Sequence, residues 1–182
     1  MKKMILMIIA SSSFMFAQTG MVTDSGMGVW LNAAVMNIDS DVNDMLDPAY
    51  ALSFDYVMDN GLEVGLDYYL DYFGAEDYSP MDLHFTYHMN SGDKTWAFGL
   101  NMHDFTDDSD SDADTMSIDV GGYCDTLLHW NLNYNLDAEE NEMSIQFGKL
   151  WEMDSMILGV GYAAGTEDLD MGWVTFSAGT TF

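Results

Sequence analysis

The sequence predicts an all-β protein, a transmembrane antiparallel up-and-down β-barrel of about ten strands, with eight as the alternative. Three observations carry this. Apolar and polar residues alternate at period two through most of the chain. No apolar run approaches the roughly 18 residues of a spanning helix. Short turns and long loops follow one another in strict alternation.

The first element is not a strand. Met1-Lys2-Lys3 is positive, Met4 to Ala10 is apolar, and Ser11 to Gln18 holds small and polar residues. This is the outline of a secretory signal peptide. Cleavage is expected after Ala17; Met15 is large for its place before that cut, so Ser12 and Ser13 are alternative ends. The domain division is then a signal peptide over 1–17 and one barrel domain over 18–182.

The ladder is clearest where Leu62, Val64, Leu66, Tyr68, Leu70 and Tyr72 alternate with acidic residues and Gly. In a strand those two sets point to opposite faces, whereas on a helix the carboxylates would scatter round the cylinder. Tyr50 to Met58, Met81 to Met89, Trp96 to Met102, Leu128 to Tyr134 and Met156 to Tyr162 repeat the pattern. The expected strands cover 28–37, 49–58, 62–73, 81–89, 94–105, 115–124, 127–136, 142–151, 155–163 and 171–182. Most match the ~9–11 residues of a tilted strand crossing a bilayer.

Asp59-Asn60-Gly61, Asn90 to Asp93, Asp125-Thr126 and Glu152 to Asp154 read as hairpin turns, for which Asn and Gly supply positive φ. Longer loops fall near 38–48, 74–80, 106–114, 137–141 and 164–170. Short turns on the periplasmic side and long loops outside are the asymmetry of outer-membrane barrels. An even strand count places both termini in the periplasm.

The final stretch, Trp173 to Phe182, alternates and stops on an aromatic residue. Here the chain resembles the bacterial outer-membrane β-barrel proteins. The resemblance covers the whole chain through its architecture and identifies no subfamily. It implies a place in the outer membrane of a Gram-negative bacterium, reached through the periplasm, with outer-membrane lipid as surroundings. It also implies that Phe182, with Phe176 on the same face, is the signal read by the barrel-assembly machinery. The other reading is a secreted soluble barrel of lipocalin type, with the apolar face turned inward. Wide Leu, Tyr, Trp, Phe and Met side chains on nearly every strand argue against packing that face inside a small barrel. Gly, Ala and Ser on the other face suit a confined lumen. Aromatic strand ends at Tyr50, Tyr72, Tyr87, Trp96, Tyr134, Trp151 and Tyr162 suit membrane interfaces.

The formal net charge is −27, and no Arg is present. Beyond the first three residues, Lys94 and Lys149 are the only bases against 31 acidic residues. Such a chain repels nucleic acid and attracts inorganic cations. A surface suited to salty water explains the charge as well as a specific cation site does. The lone Cys124 permits neither an internal disulfide nor a Cys-based zinc site, and no Cys follows the signal peptide to take a lipid anchor.

No cofactor is expected, with Ca²⁺ at the acidic loops as the exception. Asp108, Asp110, Asp112 and Asp114 begin with the spacing of a calcium loop. Ala113 then stands where the EF-hand turn needs Gly, and no bidentate Glu follows at the right distance, which favours a solvated loop. Loose divalent bridging between acidic loops and phosphorylated surface lipid is an intermediate reading.

The inward face is expected to carry His84, His88, His103 and His129 together with Asp55, Glu63, Asp67, Asp71 and Asp82. Buried carboxylates need partners, and with so few bases these are His and Asn. A hydrogen-bonded polar plug is the favoured reading; a pH-sensitive lumen or a transition-metal site is the functional one. His84 and His88 stand about 13 Å apart by strand rise, too far for one ion without other ligands. Inward Ser53, Ser144 and Ser177 have no evident base, and no nucleophile-elbow, phosphate-loop or zinc-protease motif occurs, so the protein is expected not to be an enzyme. Three functions follow in order: a structural or surface-interaction barrel with acidic extracellular loops, a narrow cation-preferring pore, and a membrane-embedded hydrolase.

Overall fold

The computed structural model describes residues 19–36, 48–71, 79–104, 115–124, 126–136, 143–166, 169 and 172–182. Ten strands form within them: β1 (Gly26–Met36), β2 (Ala49–Val57), β3 (Leu62–Asp71), β4 (Met81–Ser91), β5 (Lys94–His103), β6 (Thr115–Cys124), β7 (Leu128–Asn135), β8 (Met143–Met153), β9 (Met156–Gly165) and β10 (Gly172–Thr181). A four-residue helical turn, α1 (Thr19–Val22), precedes them.

Every strand pairs antiparallel with its neighbours in sequence, and β1 pairs with β10, closing the barrel. The count is ten, which settles the choice between eight and ten. The closing seam runs from Gly28 opposite Thr181 to Met36 opposite Trp173. It is extended by a reciprocal backbone pair between Met27 and Phe182, at 2.8 and 3.1 Å. The tight turns and both barrel termini share one end. Leu62 N–H bonds Asn60 Oδ1 at 3.1 Å, and Gly61, at φ +84°, carries the chain back into β3. The β8–β9 hairpin turns at Asp154, itself at φ +48°.

The two faces divide as alternation requires. Leu31, Phe54, Tyr56, Phe85, Phe98, Ile118, Phe147, Val160 and Phe176 are exposed on the outside. Asn32, Ser53, Asp55, Glu63, Asp67, His84, Asn101, Ser117, Asp119 and Asn133 are buried inside. This is the reverse of a lipocalin-type barrel. The exposed Tyr and Trp residues gather towards the two ends, while the exposed Phe residues Phe54, Phe85, Phe98, Phe147 and Phe176 lie between them. Tyr56, Tyr87, Trp96, Trp130 and Trp151 lie near the turn end, where Trp96 and Trp130 meet edge to face at 6.0 Å. Tyr50 and Tyr68 lie near the loop end. The Lys149 ammonium stands 5.7 Å from the Trp151 ring centroid, so its aliphatic stem covers apolar surface while the charge reaches the turn-end interface.

Two details depart from simple alternation. The β2–β3 register shifts between Tyr50 and Ala51, which face Asp71 and Tyr69, so Leu70 is the extra residue of a bulge. Beyond it Asp71 falls beside outward Tyr50 and is exposed, where unbroken alternation would have placed it in the lumen. Trp30 and Tyr69, both large, point inward and are fully buried.

Near the turn end the lumen also holds an apolar cluster beside Glu63 and His88. Met21 of α1 packs with Trp30, Ala97, Leu150 and Ile157, and Val22, Tyr123 and Leu127 border the cluster. α1 therefore sits inside the turn-end mouth.

Candidate functional site

The buried polar residues of the lumen fall into two adjoining groups, or halves. Its geometry follows from the pairing register, which sets inward residues of successive strands side by side in rows. One row runs Asp55, Gly65, His84, Asn101 and Ser117 across β2 to β6. The next runs Glu63, Thr86, Gly99, Asp119 and Asn133 across β3 to β7.

The first half lies on β2, β3 and β4. His84 is fully buried, and its ring contacts three carboxylates. Nε2 lies 3.3 Å from Asp55 Oδ1 and 3.7 Å from Glu63 Oε1, while Nδ1 lies 3.4 Å from Asp67 Oδ2. Glu63 divides its oxygens. Oε2 meets His88 Nε2 at 2.9 Å and accepts the Gly20 N–H of α1 at 2.8 Å, so α1 is tied to the charged group. The Tyr123 hydroxyl donates to the Gly20 carbonyl, and the His88 and Tyr123 rings meet edge to face at 6.0 Å.

Gly65 makes this arrangement possible. A Cβ on it would stand 2.0 Å from His84 Nε2 and 2.5 Å from Asp55 Oδ1. The imidazole leans across β3 over bare backbone to reach the next strand. Gly20 has the same relation to His88, where an added Cβ would stand 2.2 Å from Nε2.

The second half lies on β5, β6 and β7. Asp119 accepts from three amides: Asn101 Nδ2, Asn131 Nδ2 at 3.2 Å and Asn133 Nδ2 at 2.7 Å. Ser117 Oγ joins it by accepting from Asn133 at 2.8 Å and Asn101 at 3.2 Å, and by meeting His103 Nε2 at 3.0 Å. His103 Nδ1 then reaches Asp82 Oδ2 at 3.2 Å, where the Tyr69 hydroxyl also donates at 3.2 Å. Asp82 Oδ1 accepts the Asp104 backbone N–H at 3.1 Å.

Of the residues singled out from sequence, Asp55, Glu63, Asp67, His84 and His88 lie together, and Asp82 and His103 lie in the adjoining half. His129 is buried apart from both groups, against Gly148, and Asp71 is outside the lumen. Asp108, Asp110, Asp112 and Asp114 lie outside the described residues. Phe176 faces outward and Phe182 is largely exposed beside Met27. Sequence reading expected Asn as a partner of buried carboxylates but missed Asp119 itself, although the alternation Thr115, Ser117, Asp119 carried the signal. It also missed α1 as a lumen element.

No protein-family model matches this chain, and no curated protein matches it. Among solved structures it is similar to Ail, the attachment invasion locus protein of Yersinia pestis, at 9% identity over 86% of this chain and 95% of that one, with a TM-score of 0.29. A likeness that loose carries nothing over. The architecture stands on its own geometry: a closed antiparallel barrel with an even strand count, an apolar exterior edged by aromatic rings, and short turns at one end. These are the features of an outer-membrane β-barrel.

Proposed function

We propose that the protein resides in the outer membrane of a Gram-negative bacterium as a filled, non-conducting barrel, and that its role lies at the surface, in the acidic long loops. One observation carries this reading. The inward side chains of β2 to β7 fill the lumen with two adjoining buried polar clusters, and α1 is seated at the turn-end edge of one of them. Barrels of about eight strands fill their interior with side chains, and two more strands add little room. The loops then hold what remains for interaction: dense negative charge that draws inorganic cations and, through divalent ions, phosphorylated lipid.

The test is planar-bilayer recording from the full chain, refolded and shown to be inserted by protease protection of its strands. A silent membrane is expected. Discrete cation-selective steps would overturn the reading in favour of a narrow pore.

A further inference from the structure

We propose that Asp55, Glu63 and His84 form a buried site for one divalent transition-metal ion of the zinc or manganese kind. One ligand atom from each residue lies within 4.8 Å of the others, and all three residues are buried. They come from β2, β3 and β4, so a metal ion there would tie three strands together.

Four features point to an ion and not to a simple ion pair. First, neither ring nitrogen of His84 is in hydrogen-bonding geometry, and neither is Glu63 Oε1. Other buried polar atoms of the lumen, such as the Oδ1 atoms of Asn101, Asn131 and Asn133, also lack a partner, but here the unpaired atoms belong to ionisable groups that converge on one point. Second, the two faces of the His84 ring are differentiated as in metal sites. Nε2 faces the two ligand carboxylates, and Nδ1 faces Asp67 Oδ2 at 3.4 Å. A metal-bound imidazole gives its other N–H to a carboxylate, which fixes tautomer and ring angle. Third, Glu63 is already oriented, since Oε2 is held by His88 and Gly20 while Oε1 points at His84. Fourth, three carboxylates share this pocket with only two imidazoles, and a dication offsets the excess negative charge. Two carboxylates and one imidazole suit zinc and manganese, and lack the thiolate or thioether that selects softer ions. Gly65 supplies the space.

All three residues are buried and α1 lies against Glu63, so the ion is to be supplied while the barrel folds. The experiment refolds the full chain in detergent with Co²⁺ or Zn²⁺, followed by removal of free metal. The acidic loop is first neutralised by Asp108→Asn, Asp110→Asn, Asp112→Asn and Asp114→Asn, so that loop binding does not count. One retained ion per chain is expected, with visible d–d absorption for Co²⁺. His84→Asn should weaken retention by about 100-fold or more, and His88→Asn by about tenfold, acting through Glu63. His129→Asn should leave it unchanged. Should His84→Asn fail to fold, the Co²⁺ form of the otherwise unsubstituted barrel still decides. It should show one strongly shifted imidazole N–H signal that resists solvent exchange, the proton held by Asp67. Absence of a retained ion, absence of that signal, or unchanged retention in His84→Asn would overturn the site. None of these readouts depends on whether the lumen conducts.

Discussion

The two polar halves of the lumen are built from the same parts on adjacent strands and reach different states. On β5 to β7, a single carboxylate, Asp119, is surrounded by the neutral amides of Asn101, Asn131 and Asn133. The Nδ2 group of each of these amides finds an acceptor there, although their Oδ1 atoms do not, and Ser117 links the group to His103. On β2 to β4, Asp55, Glu63 and Asp67 surround one imidazole at 3.3 to 3.7 Å, beyond good hydrogen bonds. Neutral amides satisfy a buried carboxylate without adding charge, whereas clustered carboxylates need a positive partner. The half on β5 to β7 therefore reads as structure, and the half on β2 to β4 is the one proposed to take a cation.

The sharpest way to break the comparison is Asp119→Ala. It leaves three buried amides short of an acceptor, and a loss of about 3 kcal/mol is expected from urea unfolding in vesicles. Unchanged stability would mean that the amide half is not the structural one. The next test uses the glycines that occupy equivalent places in the two rows. Gly65→Ala drives a Cβ to 2.0 Å from His84, while the Cβ of Gly99→Ala meets Asp119 Oδ2 only at 3.0 Å. The first should cost about 2 kcal/mol and the second under about 1 kcal/mol, by the same measurement. Equal costs would remove the special fit of His84 over β3. The smallest effect has the opposite sign. Asp55→Asn, measured in chelator, should stabilise the barrel by about 1 kcal/mol, because it removes one of three neighbouring negative charges. A loss there would mean that the charged half is already balanced without metal.

Much of the fold was legible in the sequence because a strand reports its two faces at period two. The turns at Asn60-Gly61 and Gly92-Asp93 gave the hairpins. His84 and His88 could be placed on the inward face from Met81 to Met89 alone. The candidate site was legible only as a set of residues sharing a face. His84 and His88 looked too distant to share an ion, and on their own strand they are. What brings ligands to His84 is the register of β2 and β3 against β4, with Gly65 between. Asp71 was misplaced because one extra residue, Leu70, inverts every face beyond it, and a bulge leaves no mark in a Tyr-Leu-Asp-Tyr run.

By itself the sequence determined that this chain forms strands and which face of each avoids water, and it left their number at eight or ten. Those are local properties, set by side-chain alternation and turn chemistry. Only the tertiary structure decided which polar residues meet, that α1 reaches Glu63 from the turn-end mouth, and that one carboxylate is saturated while three crowd a single imidazole. Those depend on register and closure, where a shift of one residue moves every lumen contact by a strand's rise and turns each side chain to the other face.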